Sequence, residues 1–512
     1  MTKEQFDLLD KNSYIKYNID DLVIEDCVDA QTLLCSERFD FYGILIYIDH
    51  KVSGVQNLDY AKNIYFERTR SMTGFRFREN GNECKNTFDS FLEVLDRLID
   101  DFQNNKYEID RTYVPVDNNY VPLDGAHRIC CAAYFHKKIK ILRFPNKEYQ
   151  FKGYQYLKKE LLPPSIADAM ALEAMKWHKD LFVFFLWPQA YLDSQKLQRA
   201  INMIEESTNV LYDTEYNLTY HAVQNLLLQI YGHMDWIGSI DDGFSNLVKK
   251  VDEVWASNGQ VKVVIFRAPS CEFVIKLKTS IREMFGIGLS SCHSTDTIRE
   301  SRLALNVLLN PNSRHFLEKA NPFSYPSSYK IFEKFRLILF NNNIQVNNYI
   351  IDSSMVLALY GAREAKDLDY YCLPSSGTCI FSSVADIEEH DSIQKSYYEL
   401  PIKDYIINPD NYFIFLEIKF ISLENILRFK KRRFEIQKDS KDAKDIALIQ
   451  KIITKQSVLL RWITTVKYNT LRRKRIIQDY LYALFFWRRR EILTKVGLYK
   501  PLKAIINFLK GR

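Results

Sequence analysis

Asp352-Ser-Ser-Met-Val-Leu-Ala-Leu-Tyr-Gly-Ala-Arg-Glu-Ala-Lys-Asp367-Leu-Asp369-Tyr-Tyr-Cys-Leu373 joins two small hydroxyl residues, an apolar run, a glycine break, an arginine and an Asp-x-Asp pair. The run to Tyr360 predicts a buried helix opened by Ser353 and Ser354, and the segment around Asp367 and Asp369 predicts a short strand. Successive strand residues point to opposite faces, so Asp367 and Asp369 are expected side by side. Two adjacent carboxylates repel unless a cation lies between them. A hard divalent ion such as Mg2+, taken by one or two carboxylates together with substrate phosphates, satisfies that demand. The plain alternative is a buried helix followed by an edge strand with two solvated aspartates.

These residues resemble the signature of the nucleotidyltransferase superfamily that includes polymerase β, and within it the abortive-infection toxin type. The resemblance implies that Ser353, Ser354 and Arg363 hold nucleotide phosphates and that Asp367 and Asp369 hold Mg2+ and carry catalysis. Ser353 stands where the family has glycine, which puts close backbone approach to a phosphate in question. Downstream, Tyr412-Phe-Ile-Phe-Leu-Glu417-Ile-Lys419-Phe reads as a strand. It is followed by a basic helix, Leu423 to Arg433, and by Lys441-Asp442-Ala-Lys444-Asp445-Ile446, similar to the distal motif of the same toxins. Glu417 is the candidate third metal carboxylate. Lys430 and Arg433 either neutralise a triphosphate or form a solvated face.

A second motif lies near the other end. Tyr113 to Tyr134 reads as a strand, an Asn-Asn turn, a short strand and a helix entered at Asp124-Gly125. Glycine at a helix entry lets the backbone approach a ligand, so the first-turn N–H groups with His127 and Arg128 form a candidate anion site, with Asp124 as cap, metal ligand or base. Asp124-Gly-Ala-His127-Arg128 resembles the phosphate-binding motif of the ParB and sulfiredoxin fold, which includes free-serine kinases. That resemblance implies phosphate contacts from Gly125, His127 and Arg128 and catalysis by Asp124, with Glu67 a second acid. Ala126 stands where sulfiredoxins carry their reactive cysteine, so their chemistry is not expected. The alternative is a capped helix with a solvated face.

The expected fold class is mixed α/β and α+β in several domains: a ParB/sulfiredoxin-like domain (1–150), a helical connector (151–205), an α/β domain of unclear role (206–325), a nucleotidyltransferase-like domain (326–455) and a basic helical tail (456–512). With 512 residues, 47% hydrophobic, the chain is large enough for packed cores. In the 206–325 region, Lys278, Arg282 and His293 converge as candidate phosphate contacts, against the plainer reading of His293 as a hydrogen-bonded structural residue.

The nine cysteines contain no Cys-x-x-Cys spacing, which suggests neither a zinc site nor a disulfide framework. No run of eighteen apolar residues and no charged-then-apolar leader occurs, so the expected location is the cytoplasm. The net charge of +6 is uneven. Residues 471–512 carry twelve Lys or Arg against two acids, a surplus of ten that leaves residues 1–470 near −4. Aromatics interleave with these cations, as at Tyr480 to Arg490, which suits a helix in the headgroup layer of an anionic membrane, a nucleic-acid contact, or docking on the protein's own core.

The ending, Gly497-Leu-Tyr-Lys-Pro-Leu, resembles tails of bacterial surface-polysaccharide glycosyltransferases and their partner enzymes. Together these motifs predict a Mg2+-dependent nucleotidyl- or phosphotransferase using a nucleoside triphosphate, ATP or CTP, on a sugar or sugar-phosphate acceptor, with a glycosyltransferase as partner and the inner membrane face as a peripheral site. The alternatives are a catalytically inactive scaffold of polysaccharide assembly and an RNA-directed nucleotidyltransferase toxin.

Overall fold

The computed structural model describes residues 1–9, 17–78, 85–109, 112–150, 153–256, 259–374, 380–381 and 384–453, and scattered positions from 466 to 502. The proposed amphipathic tail lies almost entirely outside the described residues. Among the described residues the architecture is mixed α/β, with three sheets separated and covered by helices.

The first sheet has strands β1 (Ile24–Asp29), β2 (Val114–Val116) and β3 (Lys138–Arg143) in the order β1-β3-β2, with β2 and β3 parallel. A parallel pair needs a crossover, and the helix Ala126–Tyr134 supplies it. Beside it runs the helix Phe41–Val52, buried at every position from Phe41 to Ile48. A helix apolar all round belongs inside a core, which resolves a segment that reads equally as a strand. The helix Phe88–Gln103 begins where its 3.6-residue spacing predicts, with Thr87 as side-chain cap.

The second sheet has strands β4 (Leu181–Leu186), β5 (Asn209–Asn217), β6 (Gln260–Arg267) and β7 (Cys292–Ser294) in the order β5-β6-β4-β7, antiparallel throughout. The helix Ser194–Ser207 joins β4 to β5, and the helix Cys271–Phe285 joins β6 to β7. This is the connection order of a split β-α-β pair, with two helices inserted between its middle strands. Leu181–Leu186, in the stretch expected as a helical connector, is therefore a central strand of this sheet. It is buried at all six positions, so its sequence shows no alternation.

The third sheet has strands β8 (Tyr349–Ile351), β9 (Leu368–Cys372), β10 (Ile387–Glu389), β11 (Tyr412–Phe415) and β12 (Ile418–Ile421) in the order β10-β9-β8-β12-β11. Tyr349, Tyr370 and Phe420 share one face and pack on Phe332 and Phe335 of the helix Pro326–Asn341. The opposite face carries Ile350, Asp369, Tyr371 and Lys419. Tyr412 to Phe420, expected as one strand, is a hairpin. Leu416 (φ 45°) and Glu417 (φ 74°) are both left-handed, the two-residue turn that matches strand twist.

Candidate functional site

The C-terminal end of β8 and the start of β9 bring the Asp-x-Asp pair to the serine-led helix. Asp352 caps the helix Ser353–Leu359, its Oδ1 accepting the Ser353 N–H at 2.5 Å, and its own N–H donates to the Asp369 carbonyl at 2.9 Å. The Ser354 hydroxyl lies 3.2 Å from Asp367 Oδ1. Ser353 adopts φ 46°, in the left-handed region that glycine occupies without steric cost, and its hydroxyl is buried without a hydrogen-bond partner. The departure from glycine in the sequence is thus a backbone position that glycine would suit better.

A residue the sequence reading passed over sits at the middle of this cluster. His390, just after β10, places Nε2 at 3.1 Å from Asp369 Oδ2 and Nδ1 at 3.3 Å from Asp352 Oδ2. The Tyr371 hydroxyl lies 3.1 Å from Nδ1, and the Tyr398 hydroxyl donates to Asp352 Oδ1 at 2.6 Å. Burial alone would pull the imidazole pKa down. The hydrogen bonds and charges of Asp352 and Asp369 outweigh it and raise the value to about 9. Tyr398 is pushed far above its ordinary value by burial and by Asp352, so it remains a donor.

β10 runs parallel to β9 with Glu388 level with Asp369, which places a third carboxylate on the adjacent strand and on the same face. The sequence shows this stretch, Asp386 to Asp391, as an acidic loop, because a three-residue strand carrying two glutamates has neither length nor alternation to announce it. Asp367, Asp369 and Glu388 are hard oxygen donors of the kind Mg2+ prefers. Among the described residues no three His, Cys, Asp or Glu side chains are gathered closely enough to cage a metal. The arrangement fits an ion that takes one or two protein carboxylates and completes its shell with phosphate and water.

Other expected contacts lie elsewhere. Glu417 occupies the β11–β12 turn, level with the N-terminal end of β8, whereas Asp352 and Asp369 lie at the C-terminal end. It pairs with Arg299. Arg363 makes a bidentate pair with Asp445 at 2.7 and 3.0 Å. Lys430 lies 3.2 Å from Asp442 and 3.0 Å from Asp445, and Arg433 also holds Asp442. The distal Lys-Asp-x-x-Asp motif therefore ties the helices Leu423–Gln437 and Ser440–Ile453 to each other and, through Arg363, to the end of the serine-led helix.

In the N-terminal motif Gly125 has φ 81°, and a Cβ there would meet Arg128 Nη2 at 3.1 Å and Val114 Cγ2 at 3.2 Å, so both backbone and space require glycine. Arg128 lies back across the loop, donating to Thr112 Oγ1 and to the Tyr113 carbonyl. Asp124 Oδ1 accepts the Gly125 N–H at 2.7 Å. His127 points inward, with Nε2 at 2.8 Å from the Tyr65 hydroxyl. Burial, then the nearby Lys85, Arg68 and Arg128, drive its pKa well below the ordinary value. Glu67 pairs with the buried Arg70.

Lys278 pairs with Asp296 at 2.9 Å, and His293 lies between Glu300 (2.8 Å) and the Tyr231 hydroxyl (3.2 Å). Arg282 donates to the Cys292 carbonyl. The three candidate cations of this region thus hold β7 against its neighbouring helices. No known family profile, curated protein or solved structure matches the chain significantly.

Proposed function

We propose that residues 326–455 form a Mg2+-dependent nucleotidyl- or phosphotransferase centre that uses a nucleoside triphosphate and acts on the hydroxyl of a small acceptor. The observation that carries this reading is the placement of Asp369 and Glu388 level with each other on adjacent strands, with Asp367 just before β9 and 3.2 Å from the Ser354 hydroxyl at the turn that opens the Ser353-Ser354 helix. One or two of the carboxylates of Asp367, Asp369 and Glu388 would hold the ion, with phosphate and water completing its shell. A divalent ion there neutralises phosphate charge and acidifies an attacking hydroxyl. Ser354 offers a hydroxyl at the phosphate side, and Asp352, fixed by Tyr398, holds the turn in register with β9. A sugar or sugar-phosphate acceptor and a membrane-face location rest on the resemblance of the C-terminal tail.

The scaffold alternative is favoured by a specific feature: Arg363, Lys430 and Arg433, the cations that the resemblance offers for the triphosphate, are committed to Asp442 and Asp445. Calorimetric titration of the full chain with each ribonucleoside triphosphate, with and without Mg2+, separates the readings. One triphosphate is expected to bind with Mg2+ and to lose at least tenfold in affinity in Asp367→Asn/Asp369→Asn. Binding that survives in this variant but is lost in Arg128→Ala transfers the nucleotide site to the N-terminal loop. Absence of binding to either protein leaves the scaffold reading.

A further inference from the structure

Positive charge enters this chain before its tail. Residues 1–422 carry 46 Lys or Arg against 57 Asp or Glu, whereas residues 423–453 carry nine against five. Those residues form the helices Leu423–Gln437 and Ser440–Ile453, packed on each other. Two of the five acids, Asp442 and Asp445, are buried and held by Lys430, Arg433 and Arg363, so these charges cancel inside the protein. Outside, Arg428, Lys431 and Arg432 of the first helix and Lys441, Lys444 and Lys451 of the second are exposed, and the exposed acids of the two helices are Glu424 and Glu435. Among the described residues none of the six cations pairs with a carboxylate. Building on the reading of residues 326–455 as a transfer centre, and on the membrane-face location drawn from the tail, we propose that this helix pair is the docking surface for an anionic lipid bilayer. The centre then works at the headgroup layer, on an acceptor that the bilayer presents.

Unpaired cations on a helical face draw any polyanion, and the side chains among them select the bilayer. Ile393 and Ile436 are 59% and 65% exposed, and each lies within three residues of a partner in the Gln394–Arg433 hydrogen bond. Aliphatic side chains between cations suit headgroups above and acyl chains below. A surface for single-stranded nucleic acid adds aromatic rings on which bases stack. The aromatics of this pair are turned inward or covered: Phe429 is buried against Tyr398 at 4.7 Å, and Phe434 lies half-buried beneath Lys438. Tyr398 also joins the surface to the centre, because its hydroxyl holds Asp352 at 2.6 Å. The charge continues past the pair into residues 471–512, so the two helices are the near end of a longer basic segment.

Vesicle flotation of the full chain tests this, with phosphatidylcholine alone and with phosphatidylcholine containing about one-third phosphatidylglycerol. The wild type is expected to float with the anionic vesicles only and to be released by high salt. Arg428→Gln/Lys431→Gln/Lys444→Gln/Lys451→Gln is expected to weaken partitioning roughly a hundredfold, and Ile393→Asn/Ile436→Asn several-fold. All six positions are exposed, so both variants are expected to keep the wild-type melting temperature. Arg472→Gln/Arg473→Gln/Lys474→Gln/Arg475→Gln is the tail control. Loss in the tail control with none in the helix-pair variant gives the membrane role to the tail and overturns the assignment. A wild type that ignores anionic vesicles overturns it as well. So does an isoleucine variant that floats like the wild type while a single-stranded RNA binds more tightly than the vesicles, since the surface then serves nucleic acid. Mg2+-dependent triphosphate binding is expected to be unchanged in the helix-pair variant, so failure of the surface leaves the centre standing, and failure of the centre leaves the vesicle result standing.

Discussion

Two histidines show how the same side chain acquires opposite roles from its neighbours. His178 accepts from the Tyr42 hydroxyl at 2.6 Å, and its pKa falls to about 4 through burial and then the nearby Arg267, against the opposing pull of Asp180. His390, between two carboxylates, rises to about 9. Against an unfolded value of about 6.5, the two contribute to stability with opposite signs. The neutral His178 contributes fully above pH 6.5, and that contribution is lost as pH falls toward 4, because the unfolded chain then binds a proton the folded one refuses. The charged His390 contributes fully below pH 6.5 and loses its contribution as pH rises through about 9. Each is worth on the order of 3 kcal/mol. Melting temperature measured from pH 4 to 9 without divalent ions should therefore fall on both sides of about pH 6.5. His178→Gln should flatten the acid limb and His390→Gln the alkaline limb. A variant that leaves its limb unchanged would remove the corresponding group from this account.

At the scale of elements, the distal basic and acidic residues read as functional in sequence, and the structure uses them to join helices. Asp445 lies almost wholly out of solvent. Burial would raise its carboxyl pKa, but Arg363 and Lys430 hold it below the ordinary range. Removing one partner of a buried pair leaves the other uncompensated, so Asp445→Asn should cost about 3 kcal/mol in denaturant unfolding. The Arg299–Glu417 pair is exposed on its arginine side, and Glu417→Gln should change stability by no more than about 0.5 kcal/mol. Equal costs for the two changes would contradict the division between buried tie and surface contact. The same distinction explains why Glu417 looked like a metal ligand. A charged residue inside an apolar run suggests a strand carboxylate, whereas here it caps a two-residue turn.

For the whole molecule, one hydrophobic cluster runs through all three sheets and includes Val114, Phe185 and Ile350. A second covers the other face of the four-stranded sheet through Phe184, Phe266 and Ile281. Polar ties cross the same boundaries: Asn57 N–H donates to Asp404 at 2.8 Å, and Asp168 accepts from Tyr212 at 2.7 Å and Arg314 at 2.9 Å. Among the described residues no helix is long and apolar enough to cross a membrane. A core shared across the expected boundaries near residues 150, 205 and 325 predicts one cooperative thermal transition. It also predicts that a fragment lacking residues 1–150 fails to fold, read by calorimetry and near-ultraviolet dichroism. Separate transitions, or a folded fragment, would show that the sheets are independent units.

Local chemistry was legible before the fold was known. A 3.6-residue spacing marked the helix Phe88–Gln103, and Asp124-Gly125 marked a helix entry. The hydroxyl pair pointed to a helix entry, and Ser354 lies 3.2 Å from Asp367, but Asp367 precedes β9, so strand alternation does not set its place beside Asp369. Sequence could not assign β4 to a sheet, since a strand buried on both faces loses its alternation, nor find β10, which is too short to have any. Pairing between strands, set by packing over long separations, decided that Glu388 rather than Glu417 stands beside Asp369. It also set a lone histidine in an acidic stretch between two carboxylates that precede it by 21 and 38 residues.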